Sequence, residues 1–121
     1  MKNFKKNTSQ IIIPDGITEI EDSAFYGFEA LVNVKIPDSV TSIGVSSFFG
    51  CSSLGSFVIP DSVVNIGRFA FGDCKALKKI TLSKNLKNIG KSAFSRCQSL
   101  ENIEIPGSVL RIDDFTFELC L

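Results

Sequence analysis

Histidine and tryptophan are absent from the 121 residues, and methionine and tyrosine occur once each. Without histidine the chain lacks the side chain that titrates near neutrality, the commonest metal ligand, and the base of every Ser-His or Cys-His nucleophile pair. An excess of one charge is missing as well. Thirteen basic residues stand against thirteen acidic ones, and no basic block exceeds the lysine pairs 5–6 and 78–79. That balance argues against a dedicated nucleic-acid binder or a polybasic membrane anchor. Long apolar runs are also lacking: Ile11-Ile12-Ile13 is stopped by Pro14, and no stretch approaches the roughly 20 residues of a membrane-spanning helix. No signal-peptide core follows the polar residues 1–9.

What the chain has is a repeat. Ile13-Pro14, Ile36-Pro37, Ile59-Pro60, Leu82-Ser83 and Ile105-Pro106 recur every 23 residues with no insertion or deletion. Phe25, Phe48, Phe71, Phe94 and Phe117 keep that phase, as do Ile20, Ile43, Ile66, Ile89 and Ile112. Leu31, Leu54, Leu77 and Leu100 form another set, and Val34, Phe57, Ile80 and Ile103 the next. Nearly five copies are present, with residues 8–12 as the remnant of an earlier one.

A unit of this size cannot bury its own apolar residues, whereas a stack of units turns each apolar position into an internal ladder. Leu54-x-x-Phe57-x-Ile59 has the L-x-x-L-x-L spacing whose alternating end forms a short strand, paired in parallel with its counterpart one unit on. Val63-x-x-Ile66-Gly67 reads as a second short extended piece, with Gly44, Gly67 and Gly90 expected to permit the bend after it. The i, i+3 spacing of Phe71 and Cys74 predicts a single helical turn that must lean on its neighbours. The expectation is an α/β repeat solenoid of about five 23-residue units over residues 8–121, after a flexible tail at 1–7.

The complete motif Ile-Pro-Asp-Ser-Val-Thr-Ser-Ile-Gly at 36–44, followed by Phe48 and Cys51, resembles the BspA-like leucine-rich repeat family over about residues 8–121. Departures are local: Leu82-Ser83-Lys84-Asn85 lacks the proline and aspartate, Phe28 takes a cysteine position, and Glu21 and Asp113 replace glycine in the outermost units. The resemblance implies a noncatalytic protein-binding module, a segment of a surface adhesin or recognition protein whose ligand is an extracellular-matrix or host protein. It implies a cell-surface or secreted parent. A cytoplasmic scaffold or regulatory subunit is the alternative, because the chain carries no signal peptide.

Other constellations have plainer readings. Cys51, Cys74, Cys97 and Cys120 each lie three residues after the repeat phenylalanine. Rungs roughly 4.8 Å apart spread four such sulfurs over about 14 Å, too far for one zinc ion with bonds of about 2.3 Å. They are expected as buried thiols that pack as small hydrophobes. Asp15, Asp38 and Asp61 follow prolines at turns, where a carboxylate accepts a backbone N–H, so no metal site is expected. The acid pairs 21–22 and 113–114 sit at opposite ends of the stack, too far apart for acid–base work on one bond. Tyr26, Phe49, Phe69 and Phe115 fall outside the core ladders, with local packing favoured over recognition.

The remaining candidate is the outward side of the sheet, carried by Asn33, Lys35, Ser56, Val58, Lys79, Thr81, Asn102 and Glu104. Nothing catalytic converges there, and no enzyme activity, metal or cofactor is expected. Between residues 59 and 104 eight basic residues meet four acidic ones, a local surplus that suits an acidic surface. The last unit stops at Leu121 without a polar cap, which predicts end-to-end self-association.

Overall fold

The computed structural model describes residues 4–112 and 115–118. It is a parallel-strand solenoid of about four turns, in which each wall is made of segments 23 residues apart. The first wall holds β1 (Gln10–Ile12), β3 (Asn33–Lys35), β5 (Ser56–Val58) and β7 (Lys79–Thr81). The second holds β2 (Glu19–Ile20), β4 (Ser42–Ile43), β6 (Asn65–Ile66), β8 (Asn88–Ile89) and β9 (Arg111–Ile112). The second wall is one five-stranded parallel sheet, in which Ile20, Ile43, Ile66, Ile89 and Ile112 stand in register. The first wall pairs β1 with β3 and β5 with β7.

Alternation along each strand of the first wall follows the pleat: Ile11, Val34, Phe57 and Ile80 point inward and are buried, while their neighbours on both sides are exposed. Inside, Phe25, Phe48, Phe71, Phe94 and Phe117 stack with ring centroids 5.2–5.6 Å apart. Phe48 and Phe71 are parallel to within 1°, and Phe57 meets both rings edge-on at 5.1 and 5.0 Å. Phe4, from the segment expected as a tail, lies 5.7 Å from Phe25 and continues the aromatic column at its N-terminal end.

The third wall takes the place of the expected helical turns. Ser23, Ser46, Phe69, Ser92 and Phe115 share one repeat position and all have φ between 55° and 59°. A left-handed residue interrupts the right-handed φ/ψ run that a helix needs. Successive tight turns result, such as Tyr26 N–H to Ser23 C=O and Phe28 N–H to Phe25 C=O. Every second amide is thereby released to bond the next coil: Ser23 to Val45, Phe25 to Ser47 and Gly27 to Phe49, at 2.7–2.8 Å.

Gly44, Gly67 and Gly90 have a different role from the bend expected of them, since none adopts a positive φ. A Cβ at Gly67 would lie 2.8 Å from the backbone carbon of Gly44, and one at Gly90 would lie 2.6 Å from the Arg68 nitrogen. These glycines let neighbouring coils touch backbone to backbone. Asp113, the departure at the far end of this row, lies outside the described residues.

Candidate interaction surface

The strands of the first wall place the eight candidate residues. Asn33 and Lys35 flank buried Val34, Ser56 and Val58 flank Phe57, and Lys79 and Thr81 flank Ile80. Period-2 alternation leaves each of these six side chains exposed, and the 23-residue phase repeats them along the stack, with Ser56 beside Lys79 and Val58 beside Thr81 in register. Asn102 and Glu104 are exposed too, but the segment that carries them is not a strand. There Ile103 is half-buried and Ile105 is 37% exposed, against 1% for Ile59 in the same phase, because no further coil covers this rung among the described residues.

Gln10 and Ile12 extend the same surface by one coil, in register with Asn33 and Lys35. The signal for them was the 23-residue phase itself, carried one unit further back into the partial first repeat. Ile12 and Val58 make the N-terminal half of this face more apolar than the half bearing Lys79, Asn102 and Glu104.

Elsewhere the side chains mostly serve the stack. The thiols of Cys51, Cys74 and Cys97 are buried and donate to the carbonyls of Phe25, Phe48 and Phe71 at 3.3, 3.2 and 3.0 Å, each in the preceding coil. Burial pushes the Cys51 thiol up to about 12, against an opposing backbone hydrogen bond at Phe28. Hydrogen bonding to Cys97, together with burial, holds Cys74 well above the ordinary thiol range. Such thiols are poor nucleophiles and poor ligands. Cys120 lies outside the described residues. Among the described residues no cluster of three or more His, Cys, Asp or Glu is placed to hold a metal ion. The Asp61 carboxylate accepts the Lys84 amide of the next coil at 2.9 Å, and Asp22 accepts the Val45 amide at 2.8 Å.

The aromatics outside the core pack against one another. Tyr26 stacks on Phe49 at 5.2 Å and 12°, Phe49 meets Phe69 edge-on at 6.1 Å, and the Lys91 ammonium lies 5.6 Å from the Phe115 ring. Phe49 lies over the next coil's backbone, so that a Cβ at Gly72 would come within 2.8 Å of the ring. No described helix is long and apolar enough to cross a membrane.

A family model for the BspA type leucine rich repeat region matches residues 2–121 in six copies. The chain belongs to this family. The match begins at residue 2, ahead of the remnant read at residues 8–12, and so takes in Phe4, which continues the aromatic column. The leucine-rich repeat protein of T. pallidum is 34% identical, with a TM-score of 0.89 over 94% of this chain and 56% of that one. A leucine-rich repeat protein from Bacteroides ovatus is 29% identical with a TM-score of 0.65, over 91% of this chain and 34% of that one. A leucine rich cell surface protein from Faecalibacterium prausnitzii shares the fold at 23% identity and a TM-score of 0.60, over 93% of this chain and 51% of that one. The chain thus spans between a third and just over half of these relatives' length. Among curated proteins none matches it.

Proposed function

We propose that this solenoid is a noncatalytic protein-binding module, a repeat segment of a surface adhesin or recognition protein, which meets its ligand through the outward row from Asn33 to Glu104. The observation that carries this reading is the exposure of all eight side chains, six of them on strands β3, β5 and β7 of one wall. A wall of this kind presents a graded set of side chains at a repeat of roughly 4.8 Å, suited to an extended protein surface. Membership of the family supports protein binding, and the Faecalibacterium neighbour, itself a cell surface protein, supports a surface location.

The test is capture of partners by the chain from two sources, a set of extracellular-matrix proteins and a cytosolic extract. The wild-type chain is compared with a variant carrying Asn33→Arg and Ser56→Arg. Matrix capture that the variant loses while keeping its fold supports the reading. Capture from the cytosolic extract alone assigns the chain to an intracellular scaffold instead. Capture that the variant retains removes the outward row from the binding surface.

A further inference from the structure

The third wall carries a trough of about 530 Å³ whose floor and sides are three rows of the 23-residue repeat. Its floor is bare: Gly27 and Gly50 stand where the next two coils have Asp73 and Arg96. All four have a positive φ, 74° and 75° at the glycines, 56° at Asp73 and 60° at Arg96. The left-handed conformation therefore does not by itself demand glycine at this position. Crowding does not demand it either. A Cβ at Gly27 would meet the Lys6 ammonium at 3.8 Å, and one at Gly50 would meet the Gly27 backbone at 3.8 and 3.9 Å, both ordinary contacts. The two glycines leave open a space that a side chain would otherwise fill.

One side of the trough is the pair Tyr26 and Phe49, stacked at 5.2 Å. Phe69 meets Phe49 from the next coil, which fixes the pair as a ridge, and Tyr26 at its end is 47% exposed. The other side is the row Lys6, Glu29, Ser52 and Lys75, one residue per coil. Asp73 stops the far end, and its buried Oδ1 has no hydrogen-bond partner. Among the described residues the side chains of this row and of Asp73 form no ion pair or hydrogen bond, although all line one cleft. Donors and acceptors of both kinds thus stand ready for a ligand.

The lining selects the ligand's chemistry. Two ammonium and two carboxylate groups cancel, so an ion of either sign meets repulsion as well as attraction. A peptide finds no strand to extend, because the Gly27 amide donates to the Phe49 carbonyl at 2.7 Å and the Gly50 amide to the Gly72 carbonyl at 2.9 Å. A pyranose ring suits both sides: its hydroxyls donate and accept, and its C–H face packs on an aromatic ring. From Gly27 to Asp73 there are two coil steps, about 10 Å, enough for two such rings. We propose that this trough binds the disaccharide end of a neutral glycan, with one ring against Tyr26, hydroxyls donating to Glu29 and Asp73, and hydroxyls accepting from Lys6 and Lys75. The site is independent of the outward row on the first wall.

The probes are lactose, cellobiose and N,N′-diacetylchitobiose, titrated singly into the full chain and followed by NMR at the amides of Gly27, Gly50 and Asp73. Saturable shifts at these amides are expected with at least one of the three, at a Kd of about 1 mM or below. Tyr26→Ala and Asp73→Asn should each weaken binding by about fivefold or more. Gly50→Arg gives this coil the residue that position 96 already carries at a left-handed φ, and should abolish binding by filling the trough. Circular dichroism during thermal unfolding checks that each variant is folded, and Tyr26→Ala, at an exposed site, carries the test should Gly50→Arg unfold. Absence of shifts with all three sugars overturns the proposal, as does binding that survives Gly50→Arg in a folded chain or is untouched by Tyr26→Ala. Tighter binding of 3′-sialyllactose than of lactose overturns the choice of a neutral ligand.

Discussion

Ser47 occupies the position held by Ala24, Ala70 and Ala93 in other coils, and its hydroxyl is fully buried without a hydrogen-bond partner. A buried unmade hydrogen bond costs about 1–3 kcal/mol, and a methyl fits this ladder three times over. Ser47→Ala is therefore expected to raise stability by about 1 kcal/mol or more, read as a higher urea midpoint at unchanged slope. The phenylalanine column predicts the opposite sign. Phe71, sandwiched between Phe48 and Phe94, should cost about 3–5 kcal/mol as alanine. Phe49→Ala, at the half-buried outer stack, should cost much less; equal losses in denaturant unfolding would contradict the division into inner and outer columns. The cysteines bring a pH dependence. Folded Cys51 and Cys74 hold their protons above the unfolded thiol value of about 8.5, so the unfolded chain loses protons first as pH rises. Their stabilisation is complete below about pH 8.5 and is lost progressively as pH climbs through the raised folded values, by up to about 1.4 kcal/mol per pH unit for each thiol. Urea unfolding of Cys51→Ala across that range should show a correspondingly shallower decline.

Much of this was legible at the level of elements because the period never slips. Phase alone identified the inward column Phe25 to Phe117, the alternation around Val34, Phe57 and Ile80, and the exposure of Lys79 and Thr81. Hidden from the sequence was backbone conformation that no side chain announces. Serine and phenylalanine share the left-handed position at 23, 46, 69, 92 and 115, so composition there does not signal φ, and the i, i+3 spacing of Phe71 and Cys74 read as helix. The loss of strand geometry at Asn102–Glu104 was equally invisible, because its residues fit the repeat. Gly67 shows how the two kinds of information combine: the sequence marked it as recurring in phase with Gly44 and Gly90, and the close approach of coils gives the reason. Gly67→Ala pushes a methyl to 2.8 Å from the Gly44 backbone and should destabilise the chain by several kcal/mol. Gly55→Ala, with open space around it and no positive φ, should be neutral or slightly stabilising. Thermal unfolding of the pair separates contact between coils from any general intolerance of alanine.

At the scale of the whole molecule, a stack whose units touch only their neighbours owes its solubility to what covers its ends. At the N-terminal end Phe4 lies against Phe25 and shields the first ring of the column. At the other end β9 is the outermost strand of its row among the described residues, and Leu110, Ile112 and Phe115 are exposed, Leu110 at 78%. Apolar side chains gathered beside a sheet edge favour a second stack over water. The isolated 121-residue chain is accordingly expected to associate through this end as its concentration rises, which light scattering after size exclusion would register as a growing mean mass. Leu110→Lys with Phe115→Lys should return it to a monomer with little loss of stability, because both residues are exposed. A mass that stays monomeric across the whole accessible concentration range, with slow amide exchange from residue 105 onward, would mean that this end is already covered within one chain. Association untouched by the two lysines would move the contact elsewhere.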